Sequence, residues 1–362
     1  METSPVNVTK ARDGGIDLLR IIMTVGVVFL HYNNESIGKA LLYTRDSLQN
    51  NIFLLIVEVL FVPAVDIFVL ISGYLSVRRC NVKFSRGVEM TAEVIICQVL
   101  SGVIVKIARQ SHISISDFMR WLVPTNWYVV LFIALYYLSP FINVTLSRIS
   151  TKSIVTLNFM LLLLFAIEPT IVRLLEKLIG RTINGLSMIG MYGNQYGYTI
   201  VNFVVLYIIG ATIRLVPLSN TAHIERAFVA VFLLNIVLFV CEYNTCFSPY
   251  IMMDYCNPLI IAQAISFFLL VKNIKCRSKV VSYIARGCFP VYLLHATFLE
   301  LFPIDRIAGK SLFYVIVNSI GTCILIFCVC FIIGIIYKSV GTYITKIIRA
   351  KIEYTDFNIF VE

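Results

Sequence analysis

Residues 14–34 read GGIDLLRIIMTVGVVFLHYNN, an apolar segment that is long enough to cross a membrane but contains Arg20 and His31. At about 100° of turn and about 1.5 Å of rise per residue, eleven residues return to within about 20° of the starting direction over about 16 Å. Arg20 and His31 therefore share one face of a predicted helix. The same face carries a polar stripe made of Asp17, Arg20, Thr24, His31 and Glu35.

Two interpretations of this stripe are open. Charged groups at membrane depth cost several kcal/mol unless they are paired or hydrated, so they commonly mark a functional site. Alternatively, Asp17 and Arg20 form an ion pair beside the membrane surface, and His31 lies at the opposite headgroup boundary. The spacing alone is compatible with both.

The composition predicts a membrane protein. Hydrophobic residues make up 59% of the 362 positions and charged residues 14%, and the mean hydropathy of +0.87 is too high for a soluble domain. We expect an all-α integral membrane bundle of about ten transmembrane helices, forming a single transmembrane domain over residues 1–362 with a cytoplasmic tail at about 338–362. The predicted spans are 14–34, 52–75, 88–108, 127–146, 154–172, 198–217, 226–242, 257–272, 281–302 and 312–337.

The distribution of basic residues predicts the orientation. With a cytoplasmic N-terminus, most of the loop lysines and arginines lie on the cytoplasmic side, and both termini are then cytoplasmic. The net charge of +10 fits contact with anionic membrane lipid and requires no nucleic acid. The first span is not a cleavable signal, because Arg20 interrupts its start and no small-residue cleavage site follows.

The ten cysteines have no spacing typical of zinc sites, so no metal is predicted. Cys246 and Cys256 fall in one predicted outward loop, where a disulfide between them is one possibility. Residues 173–197 contain five glycines and predict a re-entrant or surface loop near an outward cavity.

The second span contains Pro63 and Asp66, which predict a kinked helix that faces a polar interior. The alternative is a packing kink in which Asp66 binds the backbone of a neighbouring helix. The loop after this span carries four cations, Arg78, Arg79, Lys83 and Arg86. These cations either hold the phosphates of a nucleotide-like donor or act only as topology signals.

Aromatic residues open the fourth span at Trp127 and Tyr128, where an interfacial belt is the usual explanation and binding of sugar rings is the alternative. His295 lies within the ninth span, which Arg286 and Pro290 interrupt. A single histidine in such a helix is either a packing residue or part of a site.

Taken together, the motifs resemble membrane acyltransferase family 3, the integral O-acyltransferases that modify bacterial surface polysaccharides. The resemblance covers nearly the whole chain in family order. It is carried by DLLR ending at Arg20 with ten residues before His31, FVLISGYL at Phe68 to Leu75, Asn126-Trp127-Tyr128, and FPVYLLH at Phe289 to His295. The chain departs from the pattern at Pro290, where relatives often have glycine.

The resemblance implies that the protein transfers an acyl group, usually acetyl from acetyl-CoA, to a sugar hydroxyl. The acceptor would be a surface polysaccharide such as a capsule or exopolysaccharide, or its lipid-linked precursor, at the bacterial cytoplasmic (inner) membrane. No bound cofactor is expected, and acyl-CoA is the donor. The resemblance assigns catalysis to Arg20 and His31, and a neutral histidine suits the removal of a hydroxyl proton.

The remaining candidate residues have lesser predicted roles. Glu35 either orients the His31 imidazole or is a solvated loop carboxylate, and Lys83 and Arg86 are the candidates for donor binding. The full supporting set is Asp17, Glu35, Asp66, Ser72, Trp127, Tyr128, Tyr292 and His295.

A flippase or transporter of a lipid-linked glycan is the main alternative function, because intramembrane charges and kinked helices serve that function too. The ordered family motifs argue against it. A polysaccharide polymerase is disfavoured, because no long outward loop is present to hold a growing chain.

Overall fold

The computed structural model describes residues 13–183, 195–216, 223–245 and 250–352, and describes side chains up to residue 337. These parts of the chain are built from helices, turns and loops, without a β-strand. The helices are α1 Gly14–Asn33, α2 Ala40–Tyr43, α3 Leu48–Phe61, α4 Ala64–Ser76, α5 Phe84–Ala108, α6 Ile115–Trp121, α7 Trp127–Arg148, α8 Thr151–Leu162, α9 Glu168–Ile179, α10 Ile200–Leu215, α11 Ile224–Asn244, α12 Pro258–Lys272, α13 Lys279–Arg286, α14 Cys288–Leu301 and α15 Leu312–Ile352.

The predicted membrane class is confirmed. Eight helical segments in the described parts are long and apolar enough to cross a membrane, and α10 and α14 are shorter apolar helices. These ten segments coincide with the ten predicted spans. The protein is therefore an all-α polytopic membrane protein.

Three spans depart from a straight helix. The second span breaks between α3 and α4 at Pro63, as predicted, because proline lacks a backbone N–H donor. The ninth span was expected to be one interrupted helix over 281–302, but it is two helices, α13 and α14, divided at Gly287. A π-helical turn at Leu163–Ile167 joins α8 to α9.

The C-terminal helix α15 continues past the predicted end of the last span at residue 337. The segment predicted as a cytoplasmic tail, 338–362, is therefore helical as far as Ile352. The rest of that predicted tail lies outside the described residues.

Helix α1 lies at the centre of the bundle and packs against α3, α4, α12, α13, α14 and α15. Asp13 caps its N-terminus by accepting a hydrogen bond from the Ile16 amide at 3.4 Å. The buried side chains of Ile16, Leu19 and Met23 belong to the main hydrophobic core. The side chains of α1 therefore pack against other helices on several sides.

Helices α4 and α10 approach each other closely because each contributes a glycine at the contact. A β-carbon on Gly73 would collide with the carbonyl oxygen of Tyr207, and one on Gly210 would collide with the carbonyl oxygen of Leu70. Both obstacles are backbone atoms, which cannot move aside without shifting a helix. The two glycines therefore set the spacing between α4 and α10.

We predict that Gly210→Ala destabilises the protein by about 1–3 kcal/mol, because the added methyl group overpacks this contact. The matched control is Gly321→Ala in α15, where no described atom lies within 4 Å of the added β-carbon. The control should leave the apparent Tm unchanged or raise it slightly, since alanine is the better helix former. Thermal unfolding in detergent gives the apparent Tm of each variant. Equal Tm values for Gly210→Ala and Gly321→Ala would contradict the prediction.

Candidate active site

His31 on α1 and His295 on α14 form a direct pair. The Nε2 atom of His295 lies 2.9 Å from Nδ1 of His31, and the ring centroids are 4.7 Å apart. The two residues are 264 positions apart in the chain. Interpreting His295 as a packing residue alone is therefore incomplete, because it contacts the histidine that the sequence singles out.

The neighbouring carbonyl groups assign the protons of this pair. Nδ1 of His31 lies 3.0 Å from the carbonyl oxygen of Val27, and Nδ1 of His295 lies 3.1 Å from that of Val291. A carbonyl oxygen only accepts hydrogen bonds, so both Nδ1 atoms carry hydrogen in the neutral pair. His31 Nδ1–H then also donates to the Nε2 lone pair of His295. This arrangement leaves Nε2 of His31 as an unprotonated base.

His31 and His295 both line a cavity of about 440 Å³, which we call the histidine cavity. It lies at the end of the bundle where α1 terminates. Its other lining residues include Glu58, Gln98, Thr125, Asn126, Trp127, Tyr198, Tyr255 and Tyr292. Glu58 is 8% exposed and accepts a hydrogen bond at Oε2 from Asn33 at 2.8 Å.

A second cavity of about 420 Å³, which we call the basic cavity, lies nearer to the start of α1. Three arginines border it, Arg20, Arg86 and Arg286, together with one acidic residue, Glu93, so the charged lining is positive on balance. Ser72 also lines it, and its hydroxyl group donates to the Phe68 carbonyl at 3.0 Å. This concentration of positive charge suits an anionic ligand such as a phosphate.

Arg20 is held in place by a buried carboxylate. Asp17, 1% exposed, lies 3.4 Å from the Arg20 guanidinium and accepts a hydrogen bond from the Ser282 hydroxyl at 2.8 Å. Thr24 donates to the Arg20 carbonyl at 2.8 Å. The predicted polar face from Asp17 to His31 thus forms, and a residue of α13 joins it.

Tyr292 of α14 lines both cavities. Its hydroxyl group donates to Oδ1 of Asn126 at 3.3 Å, and its ring lies 5.2 Å from that of Tyr128. Asn126 in turn caps α7 by accepting from the Val129 amide at 3.1 Å. The histidine cavity and the basic cavity therefore meet at one tyrosine ring.

Trp127 and Tyr128 turn inward, which differs from the expected interfacial belt. Tyr128 is 8% exposed, belongs to the main core and borders the basic cavity. Trp127 borders the histidine cavity. The belt interpretation is wrong for these two residues, because the packing of α7 places Tyr128 in the main core and Trp127 against it.

Glu35 and Asp66 do not join the histidine pair. Helix α1 ends at Asn33, so Glu35 lies beyond it in an exposed turn, as expected of a solvated carboxylate. Asp66 is fully buried, and neither of its carboxyl oxygens has a hydrogen-bond partner in the described parts. Among the residues that the structure describes, Asp66 therefore neither faces a polar interior nor binds the backbone of a neighbouring helix, which were the two predicted possibilities.

The four loop cations separate into distinct places. Arg86 and Lys83 are both exposed, but Arg86 borders the basic cavity and pairs with Glu89 at 3.1 Å, whereas Lys83 precedes α5 and does not border that cavity. Arg78 and Arg79 line another cavity of about 530 Å³, which also reaches Arg20. Lys83 and Arg86 thus do not form a single pair of ligands.

Two cavity residues were missed as candidates. Glu58 is a lone carboxyl group in the apolar run LLIVEVLF, and the rule that marked Asp66 would have marked it too. Arg286 was noticed only as an interruption of a span, yet it ends α13 beside the basic cavity.

Two predictions fall largely outside the described residues. Cys246 is not described, so its pairing with Cys256 stays a prediction. The glycine-rich loop predicted at 173–197 is wrong for its first seven residues, which belong to α9, and residues 184–194 are not described.

A family model described as an acyltransferase domain matches residues 13–337 of the chain, nearly its whole length. The match includes both histidines and all three arginines of the basic cavity. No curated protein and no solved structure matches the chain at a significant level.

Proposed function

This chain belongs to acyltransferase family 3 and is a membrane acyltransferase, and we propose that it moves an acetyl group from acetyl-CoA to a hydroxyl of a bacterial surface polysaccharide or its lipid-linked precursor. The observation that carries the proposal is the pair of cavities that meet at Tyr292. Arg20 lies in one and His31 in the other, about 16 Å apart along the same helix.

The basic cavity suits the donor. Coenzyme A carries several phosphate groups, and Arg20, Arg86 and Arg286 supply cations that bind phosphate in a planar, two-pronged manner. Arg78 and Arg79 add positive charge in the adjoining cavity. The basic residues predict that this end of the bundle is cytoplasmic, where acyl-CoA is made. The donor's flexible pantetheine arm would then carry the thioester past Tyr292 towards His31.

The histidine cavity suits the acceptor. Nε2 of His31 removes the proton of a sugar hydroxyl while the hydroxyl oxygen attacks the thioester carbonyl carbon. The new C–O bond forms, the C–S bond breaks, and the proton on His31 passes to the departing thiolate. His31 is the catalytic residue in this scheme, because it touches the reacting hydroxyl.

His295 is a positioning residue. By accepting from Nδ1–H of His31, it fixes the tautomer that leaves Nε2 available. It also stabilises the imidazolium that forms when His31 takes the proton. Glu35, the other group considered for this role, lies in the exposed turn after α1.

The proposed location is the bacterial cytoplasmic membrane, with both termini on the cytoplasmic side. The excess of basic residues in the predicted inner loops supports this orientation. Labelling of single introduced cysteines with a membrane-impermeant reagent in intact cells and in inverted vesicles tests it directly.

A flippase of a lipid-linked glycan remains the competing function, since cavities at two ends of a bundle also serve transport. The His31–His295 pair favours acyl transfer, because its proton arrangement prepares a base. Purified protein in lipid vesicles, supplied with radiolabelled acetyl-CoA and a glycan acceptor, separates the two. Glycan movement without label transfer would favour the flippase.

We expect His31→Ala to lower kcat by about 10²–10⁴-fold, the usual contribution of a general base. His295→Ala should cause a smaller loss, and His295→Gln should recover part of it, because the glutamine carboxamide oxygen reaches the position of Nε2 and still accepts from Nδ1–H of His31. The donor KM should stay unchanged in all three variants. Full acetyl transfer by His31→Ala at normal protein level would refute the assignment.

Arg20→Lys should lower acetyl transfer by about 10–100-fold, because lysine keeps the charge but loses the planar guanidinium that binds two oxygens at once. The measurement is the initial rate at matched protein level. If Arg20 served only as a topology signal, lysine would replace it without loss.

The two candidate donor-binding cations provide a matched pair. Arg86→Gln should raise the donor KM about fivefold, equivalent to about 1 kcal/mol for a partly exposed charge pair, and the effect should grow with ionic strength. Lys83→Gln should leave the KM unchanged, because Lys83 does not border the basic cavity. Equal KM values in both variants would contradict the donor assignment of the cavity.

A further inference from the structure

One wall of the histidine cavity is aromatic. Trp127, Tyr198 and Tyr255 all line it. The Trp127 ring lies 4.3 Å from that of Tyr198 and 6.1 Å from that of Tyr255, with which it is nearly parallel at 21°. The two tyrosine rings are 5.0 Å apart. The three rings therefore form one continuous surface, contributed by three separate parts of the chain.

Two loops hold this surface in place. The Tyr255 amide donates to the Tyr196 carbonyl at 3.0 Å, and Gly197, with φ +82°, lies so close to the Cys256 backbone that a side chain would not fit. Arg173 forms a buried ion pair with Asp254. The same guanidinium lies over the Tyr196 ring, 4.7 Å from its centroid. The loops that carry Tyr198 and Tyr255 are thus joined before any ligand binds.

The polar groups of the cavity are suited to hydroxyls. Gln98 donates to the Thr125 hydroxyl at 2.6 Å, and Asn126 accepts from Tyr292. Glu58 accepts a hydrogen bond from Asn33 at Oε2, and its Oε1 has no hydrogen-bond partner in the described parts. These amide, hydroxyl and carboxyl groups can each exchange hydrogen bonds with a sugar.

The histidine cavity has no lysine or arginine among its described lining residues to pair with an acidic ligand. A carboxylate taken out of water without a cation loses several kcal/mol of hydration that nothing restores. The basic cavity, by contrast, is bordered by three arginines and one glutamate. The two ends of the site therefore differ sharply in the ligand charge that they accept.

We propose that the aromatic wall binds one uncharged sugar ring of the acceptor and that the cavity rejects acidic sugars. A pyranose ring presents a face of C–H groups with partial positive charge, which packs on the negative faces of the aromatic rings. Stacking on Trp127 and Tyr255 places the ring's hydroxyl groups beside Glu58 and His31. This inference rests on the proposed acyl transfer, since it names the acceptor class for the same site.

The test measures binding without acyl transfer. The chain contains two tryptophans, Trp121 and Trp127, so Trp121→Phe leaves Trp127 as the sole indole reporter. The purified protein in lipid nanodiscs is titrated with methyl β-glucoside and, separately, with methyl β-glucuronoside. We expect a saturable change in Trp127 fluorescence with the neutral glycoside and none with the uronoside over the same concentrations.

Three variants in this background sharpen the test. Tyr255→Ala should weaken glucoside binding about tenfold, equivalent to about 1.4 kcal/mol, whereas Tyr314→Ala, on an exposed part of α15, should not. Gln98→Lys introduces a cation into the cavity and should permit uronoside binding. A gain of uronoside binding cannot result from a variant that fails to fold.

The outcomes separate this inference from the proposed function. Saturable glucoside binding without acetyl transfer from acetyl-CoA would refute the proposed reaction but support the sugar site. Acetyl transfer to a neutral glycan, with fluorescence that does not respond to the glucoside, would refute the aromatic site. Equal binding of glucoside and uronoside would also overturn it.

Discussion

Polar side chains inside an apolar bundle need partners, and this requirement determines how α1 meets its neighbours. Asp17 joins Arg20 to Ser282 of α13, and His31 is joined to His295 of α14. Each bond connects α1 to a different region of the chain. The polar face of α1 therefore fixes the positions of the helices that complete the site, while the apolar faces supply most of the burial.

The sequence was sufficient for features that depend on local spacing. The ten apolar segments, the break at Pro63 and the common face of Arg20 and His31 all follow from helix geometry and from the chemistry of proline. These features need no knowledge of which helices are neighbours. They account for nearly all of the fold class and for half of the histidine pair.

The remainder of the site depends on contacts between distant segments of the chain. Helix periodicity cannot predict such contacts, because it concerns neighbouring residues only. The partner of His31 lies 264 residues away, and the inward direction of Trp127 follows from how α7 packs. Glu58 is different, because an isolated carboxyl group in an apolar run was visible in the sequence. Lys83 and Arg86 are equivalent cations in the sequence of the loop, and only the structure shows that Arg86 borders the basic cavity and Lys83 does not.

Tyr292 separates two water-accessible spaces that approach from different ends of a membrane protein. In the proposed reaction a thioester passes this ring, and such a passage would also conduct protons and small ions, which the electrical potential across a membrane drives strongly. The proposed mechanism therefore requires the Tyr292 ring both to let donor and acceptor meet and to block the leakage of ions. The contact between Tyr292 and Tyr128 is thus under a constraint set by the energy supply of the cell as well as by catalysis.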